Sequence, residues 1–249
     1  MLNGELTRKI VTTAKNNKKT LYFKKQCIII VLMNTIQTYI LLLVDIQNST
    51  RMDPAEQNKV YNRLLPVIDE LNRELDPSPV LGLDLNYGDE ISGLFESPES
   101  VYHAVVRLRD ALYPETTIRY VVAQGKIGYP SGDITQVGGK IFKSANQAMQ
   151  QLKKKNRFCS WLTDMGVMND ILVSLSEMSN ALLENMTSHQ REVYQLLKQG
   201  HPQKEIAARL SKHQQSVSDA VRRSNAALVI EAENRIDNIL QTQAQPIQI

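Results

Sequence analysis

Cysteine is scarce in this chain: two in 249 residues, Cys27 and Cys159. Two distant thiols build no disulfide framework, and neither has a metal-ligand partner at zinc spacing. The four histidines, His103, His189, His201 and His213, show no such spacing either. A disulfide-stapled secreted scaffold and a zinc module are thereby excluded, and the expected compartment is the cytoplasm. No apolar run reaches the ~20 residues that a membrane-crossing helix requires, so no transmembrane segment is expected. Charge of one sign is lacking too. A formal net charge of +3 does not suit a protein that coats nucleic acid along its whole length.

What is present is uneven. Residues 1–44 hold seven basic side chains against one acidic, residues 45–186 hold 14 against 19, and residues 187–249 hold eight against six. An acidic middle beside a mildly basic end fits a sensor joined to a DNA binder. The hydrophobic content of 42% supports a real core, and the length suits two domains. Residues 1–37 combine a Lys-rich run with the apolar Cys27–Met33. They read as a basic, poorly ordered extension. Met33 stands directly before the first strand and reads as the natural start.

Periodicity organises the rest. Tyr39–Asp45 is a continuous apolar run ending in a carboxylate, the pattern of a strand buried on both faces. Residues 54–76 carry Val60, Leu64, Val67, Ile68, Leu71 and Leu75 on one helical face, with Pro66 expected to kink or interrupt the helix. Val80–Phe95 alternates as a hairpin turning at Tyr87-Gly88-Asp89. Helices over 98–112 and 140–155, a strand over 118–125 and a short strand over 157–161 follow, with a Gly/Pro-rich loop over 128–139. The order β-α-β-β-α-β-α-β predicts an α+β, ferredoxin-like sheet domain over 38–162 with its helices on one face. A helix over 163–186 reads as a connector, packed on the sheet or used in a dimer interface.

The segment 187–249 reads as an all-α helix-turn-helix domain. Short amphipathic helices over 188–198 and 203–210 flank Gly200 and Pro202, and a third begins at about Gln214. Val193, Leu196, Leu197, Ile206, Ala207, Leu210, Val217 and Val221 recur at helical spacing, and Ala207 and Ala208 permit close approach. The third helix would be the reader. Gln214, Gln215, Ser216 and Ser218 stand near its N-terminal end, where base edges are met, and Arg222 and Arg223 stand a turn later, where phosphates are met. Gln203 at the start of the second helix joins this set of DNA-binding candidates. Residues 187–227 hold seven Lys/Arg against three Asp/Glu, enough for phosphate contact. A helix-turn-helix usually acts as a dimer, so a homodimer on double-stranded DNA is expected. A plain helical bundle with a polar outer face has the same periodicity.

Two carboxylates complete the reading. Asp45 leaves the first strand and Asp89 sits at the hairpin turn, which places both toward one edge if the strands are neighbours. Paired carboxylates there suit Mg²⁺ or Mn²⁺ carrying a nucleotide's phosphates. An Asp after a strand that caps the next segment, and a Gly-Asp pair that only makes a turn, leave the same trace.

These motifs resemble a known family. LLLVDIQNST (41–50) resembles the first metal motif of class III nucleotide cyclases, and LNYGDEISGLF (85–95) resembles their Gly-Asp hairpin. IRYVVAQGKIGY (118–129) and VGGKIFKSANQAM (137–149) resemble the strand and helix that follow. With the C-terminal helices included, residues 38–240 look most like the SatD family. The resemblance implies a nucleotide cyclase-like domain fused to a DNA-binding head, with Asp45 and Asp89 at the positions of the metal ligands. The chain departs from the cyclase pattern where catalysis is concerned. Leu85 stands at the position of a base-recognising Lys, and Phe142 and Asn146 stand where an Asn and an Arg stabilise charge on the phosphates. Loss of such electrostatic stabilisation costs orders of magnitude in rate. Lys140 and Lys143 are the remaining candidates for nucleotide phosphates.

Three functions follow as expectations. The first is a DNA-binding transcription regulator whose degenerate cyclase-like domain senses a ligand or dimerises. The second is a metal-dependent nucleotide cyclase or other phosphoryl-transfer enzyme. The third is an interaction module that contacts the transcription machinery.

Overall fold

The computed structural model describes residues 38–75, 79–86, 88–127 and 139–244. The extension 1–37, Tyr87 and most of the Gly/Pro-rich loop lie outside the described residues. The chain forms a mixed α+β structure around a five-stranded sheet. The strands are β1 (Tyr39–Ile46), β2 (Pro79–Asn86), β3 (Glu90–Phe95), β4 (Ile118–Gly125) and β5 (Cys159–Leu162), in the spatial order β2-β3-β1-β4-β5. β1 runs antiparallel to both β3 and β4, and β5 lies parallel to β4 at one edge.

Both faces of the sheet are covered, which corrects the expectation of helices on one face. Alternation along β1 divides its side chains. Ile40, Leu42, Val44 and Ile46 enter one core with α1 (Pro54–Glu74) and α2 (Pro98–Leu112). Tyr39, Leu41 and Leu43 enter a second core with Ile141, Ala145, Met149 and Leu152 of α3 (Lys140–Lys155). A strand apolar at every position needs cover on both sides, and α3 supplies the second layer.

α1 is continuous through Pro66, contrary to expectation. Pro66 and Asn62 are exposed, so the carbonyl left unpaired by the missing N–H meets water and the helix is not forced to break. The start of α1 is fixed by a capping box, in which Asp53 and Glu56 accept from each other's backbone N–H, and by Pro54 in the first turn.

The helix read as a connector, α4 (Val167–Glu184), packs against the sheet. Leu172 joins the first core, and Glu177 Oε1 accepts from the backbone N–H groups of Phe158 and Cys159 at 2.7 and 3.0 Å. Four helices follow: α5 (Ser188–Lys198), α6 (Gln203–Arg209), α7 (Gln214–Ser224) and α8 (Ala226–Ala244). α5, α6 and α7 enclose a small core of Val193, Ile206, Ala207, Val217 and Ala220. α8 folds back, delivering Ile236 and Leu240 into the first sheet core. Among the described residues, no helix is long and apolar enough to cross a membrane.

Candidate functional site

At the exit of β1, Asp45 and Glu90 are direct cross-strand partners, and Asp89 accepts from the Ile46 N–H through its backbone carbonyl at 3.0 Å. The sheet therefore does bring the two predicted aspartates to one edge. Gly88 holds φ at +85° in the turn before Asp89, a conformation that side chains other than glycine rarely adopt. The two carboxylates have separate partners. Asp45 is buried and paired with Lys153 Nζ from the last turn of α3 at 2.5 Å. Asp89 accepts from the Ser49 hydroxyl at 2.7 Å, in the short 3₁₀ turn after β1. Burial raises the Glu90 carboxyl above its usual range, and Asp45 and Asp89 push the same way against the pull of Lys153. Among the described residues, no group of three or more His, Cys, Asp or Glu side chains stands where it could hold a metal ion. What the edge holds is an ion pair and a hydrogen-bonded carboxylate.

Lys140 and Lys143 do not join this edge. They occupy the first turn of α3, and Ile141 beside them packs on Gly125, the residue opposite Tyr39 at the far end of β1. Lys153 stands thirteen positions after Lys140 on the same helix, roughly 20 Å along the axis. Phe142 packs against the second core and Asn146 is exposed. Leu85 borders the first core.

The C-terminal helices present the other candidate surface. In α7, Val217, Ala220 and Ser224 are buried, while Gln214, Gln215, Ser216, Ser218, Arg222 and Arg223 are all exposed. Gln203, in the first turn of α6, is half-buried. Two basic side chains counted for this segment are occupied elsewhere. Arg191 is 4% exposed and donates to Asp110, and Lys198 pairs with Glu233 at 2.8 Å. On the surface, Arg209 pairs with Glu205 and Arg222 with Asp219.

Arg191 and Lys198 belong to a buried network that sequence reasoning missed. Arg109, in the last turn of α2, donates to Glu233 Oε1 of α8 at 2.7 Å and to Asp110 Oδ1 at 3.0 Å. Arg191 Nη2 donates to the same Asp110 oxygen at 3.0 Å, and Tyr194 donates to Glu233 at 3.0 Å. Burial alone would raise the Asp110 and Glu233 carboxyls, but the cations around them, Arg109 foremost, hold both below their ordinary range. Members 124 residues apart along the chain, as Arg109 and Glu233 are, leave no local spacing to read. The one signal available is an Arg at an apolar-face position of an amphipathic helix.

No family model matches the chain, and no curated protein matches it. The solved structures to which it is similar include the guanylyl cyclase Cya2, at 15% identity and a TM-score of 0.34 over 46% of this chain and 70% of that one. They also include the active GGEEF domain of a diguanylate cyclase from Vibrio cholerae, at 15% identity and a TM-score of 0.38 over 59% of this chain and 97% of that one.

Proposed function

We propose that the chain is a DNA-binding transcription regulator. In this reading α5, α6 and α7 form a helix-turn-helix, α7 enters the major groove, and the sheet domain is a sensor or dimerisation platform without a complete catalytic apparatus. One observation carries the proposal: α7 is divided lengthwise into a buried apolar face and an exposed face of Gln, Ser and Arg. Gln214, Gln215 and Ser218 lie toward the N-terminal end, where a recognition helix meets base edges, and Arg222 and Arg223 lie toward the backbone. The motif resemblance to the SatD family supports the same two-part arrangement. So do Leu85, Phe142 and Asn146, which supply no cation where a cyclase needs one.

The electrostatic contribution is smaller than the sequence count suggests, because Arg191 and Lys198 are spent inside the protein. Lys204, Arg209, Lys212, Arg222 and Arg223 remain as exposed cations on and between these helices, Arg209 and Arg222 in surface pairs with Glu205 and Asp219. Four phosphate contacts per protomer give a slope of log affinity on log salt of about −3.6.

The test is fluorescence anisotropy on duplexes recovered from a random pool, with wild type, Gln215→Ala and Arg223→Ala. Gln215→Ala should relax the preference at one base pair at a cost of ~1–3 kcal/mol. Arg223→Ala should weaken all duplexes alike and shallow the salt slope by about one. Absence of DNA binding at low salt, with transcription proteins captured through the same face, would favour the interaction-module reading. Product formed from nucleoside triphosphates with Mn²⁺ or Mg²⁺ would reopen the enzymatic one.

A further inference from the structure

Arg191 is the least satisfied member of the buried network. Its Nη2 shares Asp110 Oδ1 with Arg109, and its Nε has no hydrogen-bond partner. The guanidinium is placed over the rings of Tyr113 and Tyr194, at 4.8 and 5.3 Å from their centres, which offsets its charge only in part. A buried guanidinium with a free donor calls for an acceptor.

There is space for one. A pocket of about 30 Å³ is walled by Arg109, Arg191, Tyr113, Thr116, Thr117 and Asn180. It adjoins a cleft of about 730 Å³ at the exit of β1, with Tyr113, Thr116, Thr117 and Glu184 lining both. The smaller pocket accommodates a particle the size of one or two waters. The cleft offers a route to it, and its wall holds Arg51 and Lys59 alongside Glu56 and Glu115. Glu184 is the one acidic side chain in the wall of the small pocket.

We propose that this pocket is a binding site for a small monoanion, either a halide or the carboxylate head of a small organic acid seated in the cleft. The anion supplies the acceptor that Arg191 lacks, beside Arg109, Thr117 and Asn180; the Thr116 hydroxyl already donates to the Gln47 carbonyl at 2.7 Å. Its neighbours come from α2 and the segment between α2 and β4, from α4 and from α5. An occupant therefore bridges the sheet domain and the C-terminal helices at the point where α5 begins. The proposal stands independently of DNA binding.

The experiment is thermal unfolding of the full chain in titrations of sodium chloride and of sodium acetate, with wild type, Arg191→Lys and Thr117→Val. Chloride NMR line broadening is read alongside. In wild type at a hundredfold excess over Kd, the midpoint should rise by roughly 5–10 °C and saturate. Both variants should lose the saturable part. Thr117→Val leaves every charge in place, so it reports on the pocket even if Arg191→Lys weakens the fold. Saturation by chloride with line broadening identifies a free halide, and saturation by acetate alone identifies a carboxylate head. A rise that never saturates and is equal in all three proteins, without broadening, means that water fills the pocket and overturns the proposal.

Discussion

Arg109 and Glu233 have side chains 6% and 4% exposed, and their charges meet at 2.7 Å. Removing one partner from such a pair leaves the other buried without compensation, which typically costs about 3–5 kcal/mol. Glu233→Ala is therefore expected to lower stability by that order, measured from the midpoint of urea unfolding. Glu233→Gln, which keeps an acceptor, should cost less. The pH dependence has a defined sign. The folded-state pKa values of Asp110 and Glu233 lie below the ordinary carboxylate range, so their stabilisation is complete above the unfolded-state values. It drains away as pH falls through the folded ones. Wild type should lose stability below about pH 4, and Glu233→Gln should lose less over the same interval. At the opposite end of the sheet domain's chemistry, Lys153 holds Asp45. If that edge is a latent divalent site, Lys153→Met should gain a Mn²⁺-dependent rise in melting temperature that wild type lacks. No rise in the variant would leave Asp45 as a purely structural anion. Burial pushes the Cys159 thiol up to about 12. In a Cys27→Ser background it should resist thiol reagents at neutral pH until the protein unfolds, and a fast native-state reaction would show β5 opening.

Pro66 within α1 tests the balance between helix and loop. Pro66→Ala restores an N–H that can donate to Asn62 without disturbing the buried face of Val60, Leu64, Ile68 and Leu71. The gain should be about 1–3 kcal/mol of stability by denaturant midpoint, the upper value being the helix-propensity difference. The explanation by solvation fails if the variant is destabilised. At this scale the sequence is most informative. Helix bounds at 98–112 and 140–155 and the strand at 118–125 follow from apolar period and turn residues alone, and the helix read over 163–186 is observed over 167–184. A buried face, however, says only that something covers it. The stripe of Ile141, Ala145, Met149 and Leu152 does not tell which side of the sheet it meets. Leu172 likewise does not separate a packed helix from a connector. Asp45 and Asp89 are legible as neighbours because the strand and the hairpin fix their register. Lys153 as the partner of Asp45 is not legible, since that contact depends on how α3 lies across the sheet.

The whole molecule departs most from a sensor with a separately hinged head. α8 carries Ile236 and Leu240 into the sheet core and Glu233 onto Arg109 of α2, while Asp110 draws in Arg191 and Lys198 of α5. Two domains joined by a free connector would unfold in two steps. Here the covering of one face of the sheet includes side chains from the last helix, so losing that helix strips the core and exposes a buried guanidinium at once. Calorimetry on the full chain is expected to show a single cooperative transition, with calorimetric and van't Hoff enthalpies agreeing. Truncation after Asn225 removes α8, and with it Ile236 and Leu240 from the first core and one of the two anions paired with Arg109. That truncation should lower the stability of the sheet domain rather than only that of the C-terminal helices. Two resolved transitions, or a truncated chain whose sheet domain melts where the full chain does, would make the contacts of α8 incidental. The coupling bears on function because only Asn225, a left-handed C-cap, separates the end of α7 from the start of α8. Any change of state in the sheet domain that shifts Arg109 or Asp110 is then felt by the helix that carries the proposed reading face. Only differential affinity of a ligand for two such states would turn that mechanical link into regulation.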